Sequence, residues 1–222
     1  MRLFPAALFT AALAIVPQAG PAEALSLDAD MVPASAVKRI EISARLLETA
    51  MGDRDALLAL AAAKLRKSAL GKEVAREPER DGPVPEGAAE PPISWQDMRD
   101  TALALAPGDP VIEGLAADLT LEKSKGVVSG KVYSISQIRA GGTDTYRPLQ
   151  YEGNAYAEVY VEGASAADLN VKVFDQAGRL VCSDTDISAI AYCGWRPAAS
   201  EEFSVVVLNR GGGGTSYTLI TN

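Results

Sequence analysis

Near residue 126 the spacing of apolar side chains in this 222-residue chain changes from a helical repeat to strand alternation, and it does not change back. A single switch of that kind predicts a segregated α+β fold, with helices first and an antiparallel sheet structure second. Past the switch, "VVSGKVYSIS", "AYAEVYVEG", "LNVKVFD", "RLVCS", "AYCGW", "EFSVVVLN" and "SYTLIT" are short runs rich in Val, Tyr and Ile, separated by Gly, Asp, Asn and Ser. Ala157, Val159 and Val161 fall on one face of their run while Tyr156, Glu158 and Tyr160 fall on the other; Leu169, Val171 and Val173 likewise share a face. About eight such strands over 126–222 predict a β-sandwich or jelly roll. "DQAG", 175–178, is the clearest hairpin turn, because Gly178 can take a positive φ.

Ahead of the switch, "SAVKRIEISARLLETA" sets Val37, Ile40, Ile42, Ala44, Leu46 and Leu47 close to one broad apolar face, and helical character is expected over 34–74. The next stretch opens with Gly52-Asp53 and ends with Lys64, Arg66 and Lys67 before Gly71, so Asp53 is the expected N-cap and Gly71 the expected C-cap of a second helix. "REPERDGPVPEGAAEPP", 76–92, is rich in Pro, Gly and charge and predicts a flexible, partly extended linker. Ser94 with Asp97 resembles a capping box, Pro107-Gly108 ends that helix, and Asp109-Pro110 starts another. Both helical units read as helix, Gly-Asp turn, helix, which predicts two stacked hairpins over 25–75 and 93–125.

Residues 1–24 have the three parts of a cleaved secretory signal: Arg2, an apolar run over 3–16, and Ala22-Glu23-Ala24. That run is shorter than the roughly 18–20 residues needed to cross a bilayer, and no later segment approaches that length, so no membrane span is expected. Periplasmic or secreted location then sets the expectation for the two cysteines, Cys182 and Cys193. An even pair outside the cytosol favours a disulfide, read here as a staple between neighbouring strands of one sheet. The chain has no histidine, which excludes Ser-His-Asp and Cys-His catalysis and H-E-x-x-H zinc sites. Its net charge of −8 argues against nucleic-acid partners, which call for clustered Lys and Arg.

From about residue 156 onward, "AEVYVEG", "ADLNVKVFDQAGRLVCSDTD" and "EEFSVVVLNRGGGGTSYTLITN" follow one another in an order that resembles the bacterial pre-peptidase C-terminal domain, a β-sandwich found behind secreted peptidases. In this resemblance they stand for the opening strand, the D-L-x-V-x-V-x-D-x-x-G core hairpin and the closing strand pair, with Tyr217 on the last strand. It covers less than half of the chain, and the chain departs from the family arrangement in placing helices ahead of the module. The resemblance implies a secretion, targeting or matrix-binding appendage without catalysis of its own.

Several residues are candidates for chemistry. Asp168, Asp175, Asp184 and Asp186 gather in and around the core hairpin, where oxygen-rich loops can hold calcium; aspartates are also ordinary turn residues, so solvated carboxylates with no cofactor are the simpler expectation. "GGGG", 211–214, precedes a strand rather than a helix, so it reads as a flexible hairpin loop and not a phosphate cradle. Glu158, Glu162, Glu201 and Glu202 could supply the paired carboxylates of a glycan or peptide hydrolase, though acidic residues on outward strand faces usually only keep a sheet wet. Trp195 is expected to pack beside the disulfide, and Tyr146, Tyr151, Tyr156 and Tyr160 could form an aromatic binding strip. The functional expectation is non-catalytic binding or scaffolding with a protein or glycan partner in the envelope or outside the cell; a carboxylate hydrolase and a calcium-stabilised adhesive module are the alternatives.

Overall fold

The computed structural model describes residues 34–69, 71–86, 90–122, 131–164 and 167–222; the secretory signal expected at 1–24 lies outside them. The first helix, α1 (Ala36–Asp53), begins where Ser35 Oγ accepts the Lys38 amide at 3.0 Å. Of the predicted face Val37, Ile40, Ala44 and Leu47 are buried, joined by Ala50, while Ile42 and Leu46 are only partly buried at its margins. Arg54 ends it in a left-handed conformation, φ 56°. The second helix, α2 (Ala56–Ala69), starts later than expected. Asp55, not Asp53, accepts the Leu57 and Leu58 amides at 2.8 and 3.0 Å, because Gly52 and Asp53 continue α1 and the chain reverses only at Arg54.

Helical structure also stops short of residue 74, and Gly71 is not a left-handed cap. A Cβ on Gly71 would sit 2.4 Å from the Lys131 carbonyl oxygen, so the glycine allows the backbone leaving α2 to pass close by the first long strand. The Lys131 ammonium caps the Ala69 carbonyl at the end of α2. Helices α3 (Trp95–Leu105) and α4 (Pro110–Leu121) match expectation: the Ser94–Asp97 capping box is complete, and Asp109 Oδ1 accepts the Val111 and Ile112 amides. Met98, Ala102, Ile112, Ala116 and Leu119 close a small-residue core against Leu47, Ala50, Ala59, Leu60 and Ala63, stacking the two hairpins.

The strands are β1 (Lys72–Glu73), β2 (Glu79–Arg80), β3 (Val132–Ile138), β4 (Thr143–Tyr151), β5 (Ala157–Gly163), β6 (Leu169–Asp175), β7 (Leu180–Asp184), β8 (Ile190–Trp195), β9 (Glu201–Asn209) and β10 (Thr215–Thr221). They form two five-stranded sheets, β1-β3-β10-β5-β8 and β2-β4-β9-β6-β7. Apart from the parallel β1–β3 pair, every pairing is antiparallel. The fold is therefore the expected α+β with a β-sandwich. Strand β4 is absent from the runs singled out in the sequence because Pro148 interrupts it, at a shift of register against β9 between Tyr146 and Leu149.

Three further expectations need correction. The stretch 76–92, read as a linker, contributes β2, and with β1 just before it the segment lies along one edge of both sheets in turn, held by Arg80–Ser136, Arg76–Thr221 and Asp81–Arg139 hydrogen bonds. Cys182 and Cys193 are bonded, Cα–Cα 5.9 Å, but β7 and β8 belong to opposite sheets, so the disulfide latches the sandwich across its other edge rather than stapling one sheet. "GGGG" is not a hairpin loop, since β9 and β10 also belong to opposite sheets. Asn209 pins that crossing, donating to the Gly213 carbonyl at 2.8 Å and accepting the Gly211 amide at 3.0 Å. In each case the sequence shows where chain direction changes, while the choice of sheet depends on partners distant in sequence.

Between the sheets lies the main core, where Val159, Val161, Val171 and Val173 of the predicted faces meet Val205, Val207 and Leu219. A second layer forms where α1 and the end of α2 cover the outer side of the first sheet. There Val37, Ile40, Ala44 and Ala69 pack on Tyr160, Ile190 and Ile220.

Candidate functional site

The helical cover decides the fate of the outward residues of β5. Glu158 and Glu162, expected to be solvated, are buried beneath it. Arg66 reaches down from α2, fully buried, and grips Glu162 through two hydrogen bonds of 2.7 and 3.0 Å, while Tyr160 Oη donates to the same carboxylate at 3.0 Å. Burial works against the Arg66 charge, and the attraction and hydrogen bonds of Glu162 more than restore it, raising its pKa. Glu158 accepts from Ser35 Oγ at 2.6 Å and from Tyr192 Oη at 2.8 Å. On α1, burial pushes the carboxyl of the buried Glu41 up, but the hydrogen bonds of Lys38 and Arg45 outweigh it and hold it below the usual range. Glu158 and Glu162 are tied into a structural seam joining the helical segment to the sheet, and neither faces an open cleft.

The four tyrosines do not form a strip. Tyr146 and Tyr151 are buried in the main core, Tyr160 is buried under α1, and only Tyr156 is exposed. Tyr146 Oη lies 2.6 Å from Tyr217 Oη, which donates to Asp144 at 2.7 Å. Burial drives the Tyr146 hydroxyl up to about 12 and raises Asp144, whose hydrogen bond from Tyr217 opposes the rise. Tyr151 packs edge-on against Trp195, centroids 4.9 Å apart, and against Phe203 at 5.8 Å, so the ring contacts of Trp195 are aromatic. Burial raises Tyr151 as well.

Nor do the four aspartates converge. Asp175 holds the β6–β7 turn by accepting the Ala177 and Arg179 amides and pairs with the Arg179 side chain at 2.7 Å; Gly178 takes the expected positive φ, 75°. Asp168 accepts from Asn170, and Asp184 accepts the Tyr192 and Asp186 amides. Among the described residues no three acidic, Cys or His side chains group as metal ligands, and each of these carboxylates except Asp186 is engaged in local hydrogen bonding.

What the structure does bring together lies on the second sheet, whose outer side carries no helix among the described residues. Register puts Thr145, Val206 and Lys172 in one row across β4, β9 and β6, and Ser204, Phe174 and Leu180 in the next across β9, β6 and β7. Phe174 and Val206 form the half-buried floor of an open hollow of about 720 Å3. Hydrogen-bonding side chains stand around it: Arg147 pairs with Glu79 of β2, Glu202 accepts from Gln150 at 2.7 Å, and Gln176 lies on the turn held by Asp175. Hydrogen bonding to Arg147 holds the Glu79 carboxyl low, and amide donation from Arg179 holds Asp175 low. A smaller depression of about 540 Å3 between α3 and α4, bridged by an Arg99–Thr120 hydrogen bond of 3.0 Å, lies among Leu103, Ala116 and Ala117.

The signal for the hollow was present but unread. Phe174 and Val206 are apolar residues at outward positions, offset by one from the inward Val173 and Val205, where a wet sheet would carry polar side chains.

No protein-family model matches the sequence, and no curated protein matches it. Solved structures overlap less than half of the chain. They include the periplasmic g-type lysozyme inhibitor PliG of Aeromonas hydrophila, 15% identical, covering 46% of this chain and 90% of that one with a TM-score of 0.32. The Yersinia pseudotuberculosis-derived mitogen is 12% identical, covering 42% of this chain and 85% of that one, TM-score 0.31. The pre-peptidase C-terminal domain of Bacillus anthracis collagenase is 7% identical, covering 42% and 78%, TM-score 0.24. Overlaps this loose carry no inference about partner or activity, and the resemblance read from the sequence stands no further than β-sandwich character.

Proposed function

We propose that this protein is an exported, non-catalytic binding module, and that its partner, a protein or an envelope or matrix glycan, docks in the hollow over β4, β9 and β6. The observation that carries this reading is the asymmetry of the sandwich: one outer face is sealed by helices, while the other keeps an apolar floor ringed by paired polar side chains. An aromatic and an aliphatic residue held rigidly on neighbouring strands, with planar hydrogen-bonding groups around them, suit recognition more than turnover. Of the four glutamates considered for hydrolysis, Glu158 and Glu162 are closed off beneath the helices. The Cys182–Cys193 bond supports a compartment outside the reducing cytosol. No described helix is long and apolar enough to cross a membrane.

The test is binding of the protein to arrayed envelope and matrix glycans and extended peptides, compared with Phe174→Ala and Arg147→Ala. Loss of about tenfold or more in affinity, roughly 1.4 kcal/mol, is expected for Phe174→Ala. Unchanged affinity in both variants, or release of cleaved product by the wild-type chain, overturns the reading.

A further inference from the structure

The hollow lies in the middle of its sheet, and that place limits what it can hold. Strand β9, which carries the floor residues Ser204 and Val206, is paired with β4 on one side and β6 on the other, so its main-chain N–H and C=O groups are engaged in the two ladders. An extended peptide brings an N–H and a C=O with nearly every residue and is recognised best at a strand that can still pair. Over β9 it would meet side chains alone.

Those side chains suit hydroxyl groups. Phe174 stands on the outward face next to Ser204, its partner in the β6–β9 ladder, whose side chain is too short to cover the ring. A pyranose presents C–H groups on a ring face that can lie on such an aromatic surface. Around it the polar groups come as donor–acceptor pairs: Arg147 with Glu79, its Nε 2.8 Å from the carboxylate, and Gln150 with Glu202 at 2.7 Å. Guanidinium, amide and carboxylate each keep further donors or acceptors beyond these bonds. A hydroxyl donates and accepts at once, so adjacent sugar hydroxyls match such pairs without bringing a charge.

Charge selects among glycans. The lining holds Glu79, Asp175 and Glu202 but, of the basic residues, only Arg147. Arg147 is paired with Glu79 and Asp175 with Arg179, which leaves Glu202 with the neutral Gln150 as its side-chain partner among the described residues. Lys172 lies on the same face across from Val206 but outside the lining. A sulfated or uronic-acid glycan would set its anions against these carboxylates, on a chain whose net charge is already −8.

We infer that the hollow takes a neutral glycan of pyranose units, one unit lying with its C–H face on Phe174 while hydroxyls bond the Arg147–Glu79 pair and Glu202. The assignment rests on the hollow being the binding site and narrows its occupant from protein or glycan to one chemical class.

Calorimetric titration with amide chemical-shift mapping tests this, using cellohexaose, laminarihexaose, xylohexaose and chitohexaose as neutral probes, oligogalacturonate and heparin oligosaccharide as anionic ones, and lysine-rich and proline-rich peptides beside them. Expected is binding of at least one neutral probe, with shifts centred on Phe174, Ser204 and Val206 and little change in affinity between about 0.05 and 0.5 M salt. Phe174→Ala should weaken that binding by about tenfold or more, and Phe174→Trp, which keeps a flat ring, should retain it. Lys172→Ala should change the affinity for a neutral probe by less than about twofold, whereas an anionic ligand held through this lysine would lose most of its affinity. Silence of all the neutral probes overturns the inference. So does salt-sensitive binding confined to peptides or anionic glycans; if that binding falls with Phe174→Ala, the hollow stands as the site and only its occupant is reassigned. Binding of any probe that ignores both Phe174→Ala and Arg147→Ala overturns the hollow itself as the site.

Discussion

Replacing Arg66 with methionine removes the guanidinium that neutralises Glu162 and leaves a carboxylate beneath α2, with Tyr160 Oη as its remaining side-chain donor. Arg66 is fully buried and the Glu162 side chain is 9% exposed, so neither the pair nor an orphan is rescued by water. Breaking a buried pair by removing one partner costs about 3–5 kcal/mol, because the survivor's desolvation is no longer offset. For a domain of this size each kcal/mol moves the melting temperature by about 2–4 °C, so Arg66→Met should lower it by about 6–20 °C. Glu162→Gln alone strands the arginine and should cost a similar amount. The double variant leaves neither charge of the pair buried, and the glutamine oxygen can still accept from Tyr160. It should therefore recover most of the loss, giving a coupling energy of at least about 2 kcal/mol in a urea-unfolding cycle. Additivity of the two single changes to within about 0.5 kcal/mol would refute the view that this pair acts as a unit joining helices to sheet.

Replacing both cysteines with serine removes the latch at the β7–β8 edge. For a sequence separation of 11, the loop-closure estimate is a loss of about 3 kcal/mol, read as a fall in the denaturant midpoint equal to that of the reduced wild type. Gly71→Ala should cost about 1–3 kcal/mol by thermal melting, because its Cβ meets a backbone carbonyl at 2.4 Å that no side-chain rotation can move. Two carboxylates should pull the acid limb of stability in opposite directions. The folded pKa of Glu41 is depressed, so its contribution is present above the unfolded value and lost as pH falls through the folded one; Glu41→Gln should therefore be less stable than wild type at pH 7, with the gap closing in acid. That of Asp144 is raised by burial, so its ionised form opposes folding at neutral pH and the penalty is relieved as pH falls. Asp144→Asn should be at least as stable as wild type at pH 7, and its advantage should shrink on acidification.

How much was legible depended on the range of the interaction. The caps at Ser94 and Asp109, the Gly178 turn and the alternation of β5 and β6 all rest on contacts a few residues apart, and each stands as read. The N-cap at Asp53 was misplaced by two residues because two aspartates compete there, and the left-handed turn at Arg54 selects Asp55. The tyrosine strip and the wet glutamates failed for another reason. Alternation shows that Glu158, Tyr160 and Glu162 leave the sheet on the side opposite Val159 and Val161, but not that a helix more than ninety residues earlier in the chain lies over them.

From the sequence alone follow the two structural classes, their order along the chain, the turns, and a disulfide between the only two cysteines. Tertiary structure decided which faces are covered and which sheet each strand joins. Those choices rest on pairings such as Arg66 with Glu162, Ser35 with Glu158 and Tyr146 with Tyr217, separated by 96, 123 and 71 residues, and a residue's type sets its affinity for water without naming the distant surface that will displace that water.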